Sequence, residues 1–184
     1  MIFGVYLCQK IQQALAEPGN LELFCSSEEE TLLSSAFAGL YALGEGDDSE
    51  AVASALANPN GFVLKPQREG GGNNLYDDDL VKALSSMSYE ERGAYILMQK
   101  IMPPSVPGKL IRSGEVVYDG PCVCELGVFG VSLRKYVGEN NDDDEETSIL
   151  LDSVVGHILR SKSVKTDEGG VAAGYAFLSS PLLI

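Results

Sequence analysis

Between Phe62 and Tyr76 the chain reads FVLKPQREGGGNNLY, and few local structures admit that order of residues. The apolar run FVLK reads as a buried strand ending at Lys65 and Pro66. Arg68, Glu69, the consecutive glycines Gly70, Gly71 and Gly72, and then Asn73 and Asn74 follow it. DDDLVKALSSM reads next as a helix whose first turn carries acids, as the helix dipole favours. The unit is therefore strand, glycine loop, helix.

Adjacent glycines leave backbone N–H groups bare, so an anion can approach them closely. Lys65 and Arg68 add positive charge, and Glu69 offers a carboxylate of the kind that holds Mg²⁺. Glycines alone would fit a plain surface turn. The ordered Lys, Glu and Asn around them point to a phosphate-handling loop. It is not a Walker A loop, since no Gly-Lys-Ser/Thr follows at the required spacing, and GxGxxG is absent too.

With 184 residues the chain suits one domain or a domain and a half, and 45% hydrophobic residues suffice for a sizeable core. The formal net charge of −14 argues against a nucleic-acid binder, which needs a basic face. An acidic protein still binds a polyphosphate when a few cations are focused in one cleft. No apolar run is long enough to span a bilayer. The opening MIFGVYLC lacks a basic n-region and a cleavage site, so the cytosol is the expected compartment. Cys8, Cys25, Cys122 and Cys124 form no CxxC pair and read as buried, reduced thiols. His157 is the only histidine, and nothing near it supports a nucleophilic triad.

Residues 9–16 read as a helix stopped by Pro18-Gly19. Ser27 with Glu30 spells a capping box ahead of a second helix, TLLSSAFAGLYAL. Ser49 is placed to cap a third, EAVASALAN. Ser88 with Glu91 suggests a capped turn, AYILMQKI a strand, and MPPSVPG a proline-rich connector. The second half turns β. GEVVYDG, PCVCELGVFGVSLRKYV (with glycine breaks) and SILLDSVVGHILRSK read as strands. GENNDDDEET between the last two is too acidic to pack and reads as a solvated loop without EF-hand spacing. A second glycine-rich loop opens the tail at 168–174. Helices first and an antiparallel sheet after give an α+β class: a helical segment over 1–61, with an atypical 1–8, then a nucleotide-binding region over 62–184 with loops at 68–74 and 168–174.

KPQREGGGNNLY, YILMQKI, CELGVFGV, GHILRSK and DEGGVAAG, in this order, resemble the C-terminal part of eukaryotic glutathione synthetase from about residue 9 onward. The resemblance implies an incomplete, circularly permuted ATP-grasp fold, an antiparallel sheet with flanking helices. It implies a ligase that joins γ-glutamylcysteine to glycine with ATP and Mg²⁺, making glutathione in the cytoplasm as a homodimer. ATP contacts would fall on Lys65, Pro66, Gln67, Arg68, Glu69, Gly70, Gly71, Gly72, Asn73, Asn74 and Tyr76. They would also fall on Met98, Gln99, Lys100 and Ile101, a strand whose backbone edge reads adenine, and on Glu125, Lys162 and Glu168. Arg160, Val171 and Ala172 would contact the peptide substrate, and Glu69 the metal.

The chain departs from the family at several points. Gln9 stands where the family carries a nucleotide-binding lysine, and Lys10 follows it. Gln99 and Glu168 replace other side chains. The acidic loop at 138–147 is longer than usual. Family members are much longer and draw further metal ligands and most of the peptide site from their N-terminal portion. Three readings result: a truncated ATP-grasp ligase, inactive or weakly nucleotide-binding alone; a non-catalytic module that pairs with the full-length enzyme; and an ATP-grasp ligase of another substrate class, against which the match at Arg160 and GGVAAG argues.

Overall fold

The computed structural model describes residues 9–44, 49–68, 72–135 and 148–181. The MIFGVYLC opening with Cys8, the acidic stretch at 138–147, and Glu69, Gly70 and Gly71 lie outside them. The chain forms two compact units, Met1–Met102 and Pro103–Ile184. Strands read from the sequence with the nucleotide-binding region thus belong with the helices of the first unit.

In the first unit, α1 (Gln9–Ala16) ends before Pro18, and Gly19 adopts φ +86°. The next helix, α2, spans Ser27–Ser35. Its capping box is Ser26 with Glu29, one residue earlier than expected, with Ser26 N donating to Glu29 Oε2 at 2.9 Å. The helix also stops short. Instead of continuing through LYAL, Leu40–Ala42 form strand β1, paired antiparallel with β3 (Tyr95–Gln99). No residue of α2 is buried, so propensity there yields to sheet pairing. Helix α3 (Ser49–Ala57) starts at Ser49, β2 spans Phe62–Pro66, and α4 covers Asp77–Ser86. The short α5 (Tyr89–Arg92) is capped by Ser88 and Glu91 as read from the sequence.

The sheet order is β1-β3-β2, and both pairings are antiparallel. Leu64 faces Leu97, and both join Leu43, Val52, Ala55, Leu80, Ala83 and Leu84 in one buried cluster. Burying such a leucine contributes about 1.5–3 kcal/mol, so this cluster seats α3 and α4 on one face of the sheet.

The second unit is one antiparallel sheet, β4-β5-β6-β7. Strand β4 (Ser105–Arg112) absorbs most of the expected proline connector, with Pro107 opposite Pro121. An outer strand tolerates a proline because one of its edges needs no donor. Strand β5 (Glu115–Lys135) runs 21 residues through Gly127 and Gly130, where breaks were expected. The irregularities are instead two register shifts in its pairing with β6 (Ser148–Ser163), one beside Gly130 and one between Leu133 and Arg134. Strand β7 (Phe177–Ser179) adds three pairs to β6. Among the described residues no helix is long and apolar enough to cross a membrane.

Candidate functional site

Lys65 lies on β2, half-buried, opposite Ile96. Directly opposed residues of an antiparallel pair share a face. Lys65, Val63, Ile96, Met98 and Leu40 therefore line the sheet face turned away from the leucine cluster. Two of the expected nucleotide contacts, Lys65 and Met98, are brought to one surface in this way.

The segment after β2 leaves and returns. Leu64 and Leu75 exchange both backbone bonds, Leu64 N to Leu75 O at 3.0 Å and Leu75 N to Leu64 O at 2.9 Å. The glycine loop is thus closed at its base on the outer edge of β2. Gln67 N donates to Ala94 O at 3.1 Å, and Gln67 Oε1 accepts from Lys10 N at 3.2 Å. Arg68 N turns back to Pro66 O at 2.8 Å, with Arg68 exposed. Gly72 has φ +86° in open space, a conformation that suits glycine. Asn73 is exposed, and Asn74 Nδ2 donates to the Tyr76 hydroxyl at 3.3 Å. Lys100 Nζ stands 5.2 Å from the Tyr76 ring centroid, so the residue after β3 reaches the start of α4.

One expectation changes. Strand β3 is interior, so it has no open backbone edge. Gln99 N donates to Gly39 O and Lys100 N to Gly61 O, each at 2.8 Å. Gln99 Oε1 accepts from Gly39 N at 3.1 Å. Ile101, just past the strand, is exposed.

In the second unit, Glu125 on β5 faces Arg160 on β6, and Arg160 Nη2 donates to Glu125 Oε1 at 2.5 Å. Lys162 is two residues along and on the same face, its Nζ donating to Asp167 O at 2.6 Å. The second glycine loop lies over this face, since a Cβ added at Gly169 would come 3.7 Å from Glu125 Oε2. Glu168 and Val171 are half-buried, and Ala172 is exposed. Glu125, Arg160 and Lys162 thus gather beneath the loop that carries Glu168, Val171 and Ala172.

Arg112 was not singled out in the sequence. Its Nη2 donates to Gly174 O at 3.1 Å, and its guanidinium carbon is 4.9 Å from the Phe177 ring centroid. No local pattern signals a contact made with a carbonyl so far along the chain.

The thiols divide. Cys122 is 2% exposed, but Cys124, on the same face by alternation, is exposed rather than buried. Its Sγ is 3.3 Å from Ser161 Oγ. His157 is exposed on β6. Among the described residues no group of three or more His, Cys, Asp or Glu is placed to hold a metal.

The family model for the eukaryotic glutathione synthase ATP binding domain matches residues 7–183. The chain is 44% identical over 177 residues to the glutathione synthetase of Homo sapiens, covering 94% of this chain and 35% of that protein. It is 44% identical over 179 residues to that of Dictyostelium discoideum, covering 95% and 35%. It is 43% identical over 180 residues to the chloroplastic glutathione synthetase of Arabidopsis thaliana, covering 96% and 31%. The chain therefore spans about a third of the length of these curated relatives. A glutathione synthetase-like effector from Globodera pallida, solved in its apo form, shares the fold. Its TM-score is 0.65 at 22% identity, over 96% of this chain and 34% of that one. The chain belongs to the eukaryotic glutathione synthase family and corresponds to its ATP-binding domain.

Proposed function

We propose that these residues bind ATP for a ligase that joins γ-glutamylcysteine to glycine and yields glutathione. The observation that carries the reading is the closure of the glycine loop on β2 through Leu64 and Leu75, beside Lys65. A carboxylate does not react with an amine unaided; phosphorylation by ATP makes it an acyl phosphate and releases ADP, and the glycine amine then attacks that carbonyl, loses a proton and expels phosphate. Such a transfer needs positioning and charge neutralisation more than covalent help from the protein. In this reading Lys65, Arg68 and the amides of 70–74 hold phosphate oxygens, with Pro66, Gln67 and Tyr76 shaping the loop. Because β3 is interior, the base is read at Lys100 and Ile101, where the chain leaves Met98 and Gln99. Glu125, Lys162 and Glu168 serve the nucleotide, and Arg160, Val171 and Ala172 the peptide. A guanidinium matches a carboxylate in shape.

Glu69 would hold Mg²⁺ through a carboxylate oxygen, and the metal would neutralise charge on the phosphates. One carboxylate does not make a Mg²⁺ site by itself, so phosphates, water and other groups of the full-length enzyme would complete it. The reading places the whole enzyme in the cytosol as a homodimer. The 184 residues alone bind nucleotide weakly and do not ligate.

Calorimetric titration with ATP and Mg²⁺ tests this on the wild type and on Lys65→Ala. Loss of a charge-assisted bond predicts about 10- to 100-fold weaker binding. Equal affinities remove Lys65 from the site.

A second reading, a non-catalytic partner of full-length enzyme, is favoured by one observation. Leu126, Val128, Phe129, Val131 and Leu133 on β5, and Ile149, Leu150, Leu151, Val154 and Val155 on β6, are all exposed. Apolar surface on that scale marks an interaction site. Size-exclusion chromatography with a full-length glutathione synthetase tests it; separate elution and unchanged activity count against it.

A further inference from the structure

The turn at 170–176, between β6 and β7, buries little of itself. Its turn is closed on itself, with Gly174 N donating to Val171 O at 2.9 Å, Tyr175 N to Gly170 O at 3.0 Å and Ala176 N to Gly170 O at 3.3 Å. Ala172, Ala173, Gly174 and Tyr175 are exposed, and Ala176 alone among the turn's residues is buried, at 4%. Strand β7 beyond it pairs over three residues only. Segments with so few buried contacts open first.

Side chains of the sheet hold the stretch at both ends. At its start, Lys162 Nζ holds Asp167 O. At its end, Arg112 holds Gly174 O with one nitrogen of its fork and brings its guanidinium carbon to 4.9 Å from the Phe177 ring centroid. Arg112 is the last residue of β4, and Phe177 is the first of β7. These are the two outer strands of the sheet, so one side chain bridges its edges. Gly174 has φ +82°, and a Cβ there would meet the same guanidinium nitrogen at 3.8 Å, in the left-handed region that strains other residues.

We propose that Arg112 is a positioning residue that latches the glycine turn 170–174 to the sheet and so sets the backbone of Val171 and Ala172. The proposal rests on reading that turn as the substrate-facing loop, but its test does not. The planar fork makes the role specific to arginine: a lysine can keep a charge near Phe177, yet cannot hold ring and carbonyl together with one rigid group.

Hydrogen exchange of the whole chain, followed by mass spectrometry, decides the matter on Arg112→Gln and Arg112→Lys. Losing a charge-assisted bond predicts about tenfold faster exchange at Gly174, Tyr175 and Ala176 in the glutamine variant. Amides of β5 and β6 should be unchanged, and the lysine variant should fall between. Unchanged exchange at 174–176 overturns the latch. So does faster exchange spread equally over β5 and β6, since that reports general loss of the sheet; the lysine variant, which keeps the charge, guards against a glutamine variant that fails to fold. Failure of ATP to bind would overturn the nucleotide reading and leave the exchange result standing.

Discussion

Glu125 and Arg160 stand directly opposite each other on β5 and β6, and one guanidinium nitrogen donates to the carboxylate. The two residues proposed for different ligands therefore neutralise one another in this structure. Their side chains are 59% and 36% exposed, so water screens the pair. An exposed ion pair contributes about 0–1 kcal/mol. Glu125→Gln should shift the urea midpoint only slightly, while MgATP binds more weakly if Glu125 serves the nucleotide. A loss of several kcal/mol would instead make the pair a structural element of the sheet.

Asp77 is strained at a position where glycine would be at ease. It is the first residue of α4, yet has φ +45°, in the left-handed region. Its Oδ1 is also buried without a hydrogen-bond partner. An L side chain in that region costs about 1–2 kcal/mol, less for Asp than for most residues. Asp77→Gly should therefore raise stability by about 0.5–1 kcal/mol, against the usual direction for glycine at a helix end. Thermal unfolding checks the sign; a lowered Tm would mean that the carboxylate's charge at the helix N-terminus outweighs the strain.

The α5 capping box gives a pH dependence. Backbone bonding from Ser88 holds the Glu91 carboxyl below its ordinary value of 4.5, and the Ser88 hydroxyl adds to this. A lowered pKa in the folded state means that folding favours the charged form. That stabilisation is complete above the unfolded value near 4.5 and fades as pH falls through the lower folded value. Glu91→Ala should be less stable than the wild type at pH 7, and the gap should narrow on acidification to pH 3 in paired urea titrations. A gap that widens in acid would contradict the capping account.

Much of the first unit was legible because its signals are local. Ser88 and Glu91 were read to the residue, and the strand–loop–helix around Lys65 follows from its glycines and acids. The Ser26–Glu29 box was missed by one residue because Ser26, Ser27 and Glu28 to Glu30 spell the motif in two registers. Strand β1 was hidden inside a helical pattern, since only the open side of β3 gives Leu40–Ala42 a reason to extend. Pro107 misled because proline excludes a central strand but not an outer one. At the site, Arg160 and Lys162 were visible as alternating cations, yet their partners Glu125 and Asp167 came only with the register of β5 on β6 and the turn after it. Arg112 left no trace because its partners are a carbonyl and a ring more than sixty residues on.

The two thiols of β5 should react in a fixed order. The thiolate is the nucleophile in alkylation, so both access and pKa set the rate. Burial pushes the Cys122 thiol up, and the nearby Cys124 and Asp119 push the same way. Cys122 also points its Sγ at Gly120 O, 3.6 Å away, inside the sheet. Cys124 is exposed, with Ser161 beside it. Iodoacetamide at pH 8 should therefore label Cys124 well before Cys122, as read by peptide mass spectrometry. Urea sufficient to unfold the second unit should abolish the difference, since desolvation is the first cause of the Cys122 shift. Equal labelling of the native chain would show that the β4–β5 pairing opens readily around Cys122, and the sheet would then be too loose to hold Glu125 and Arg160 in register.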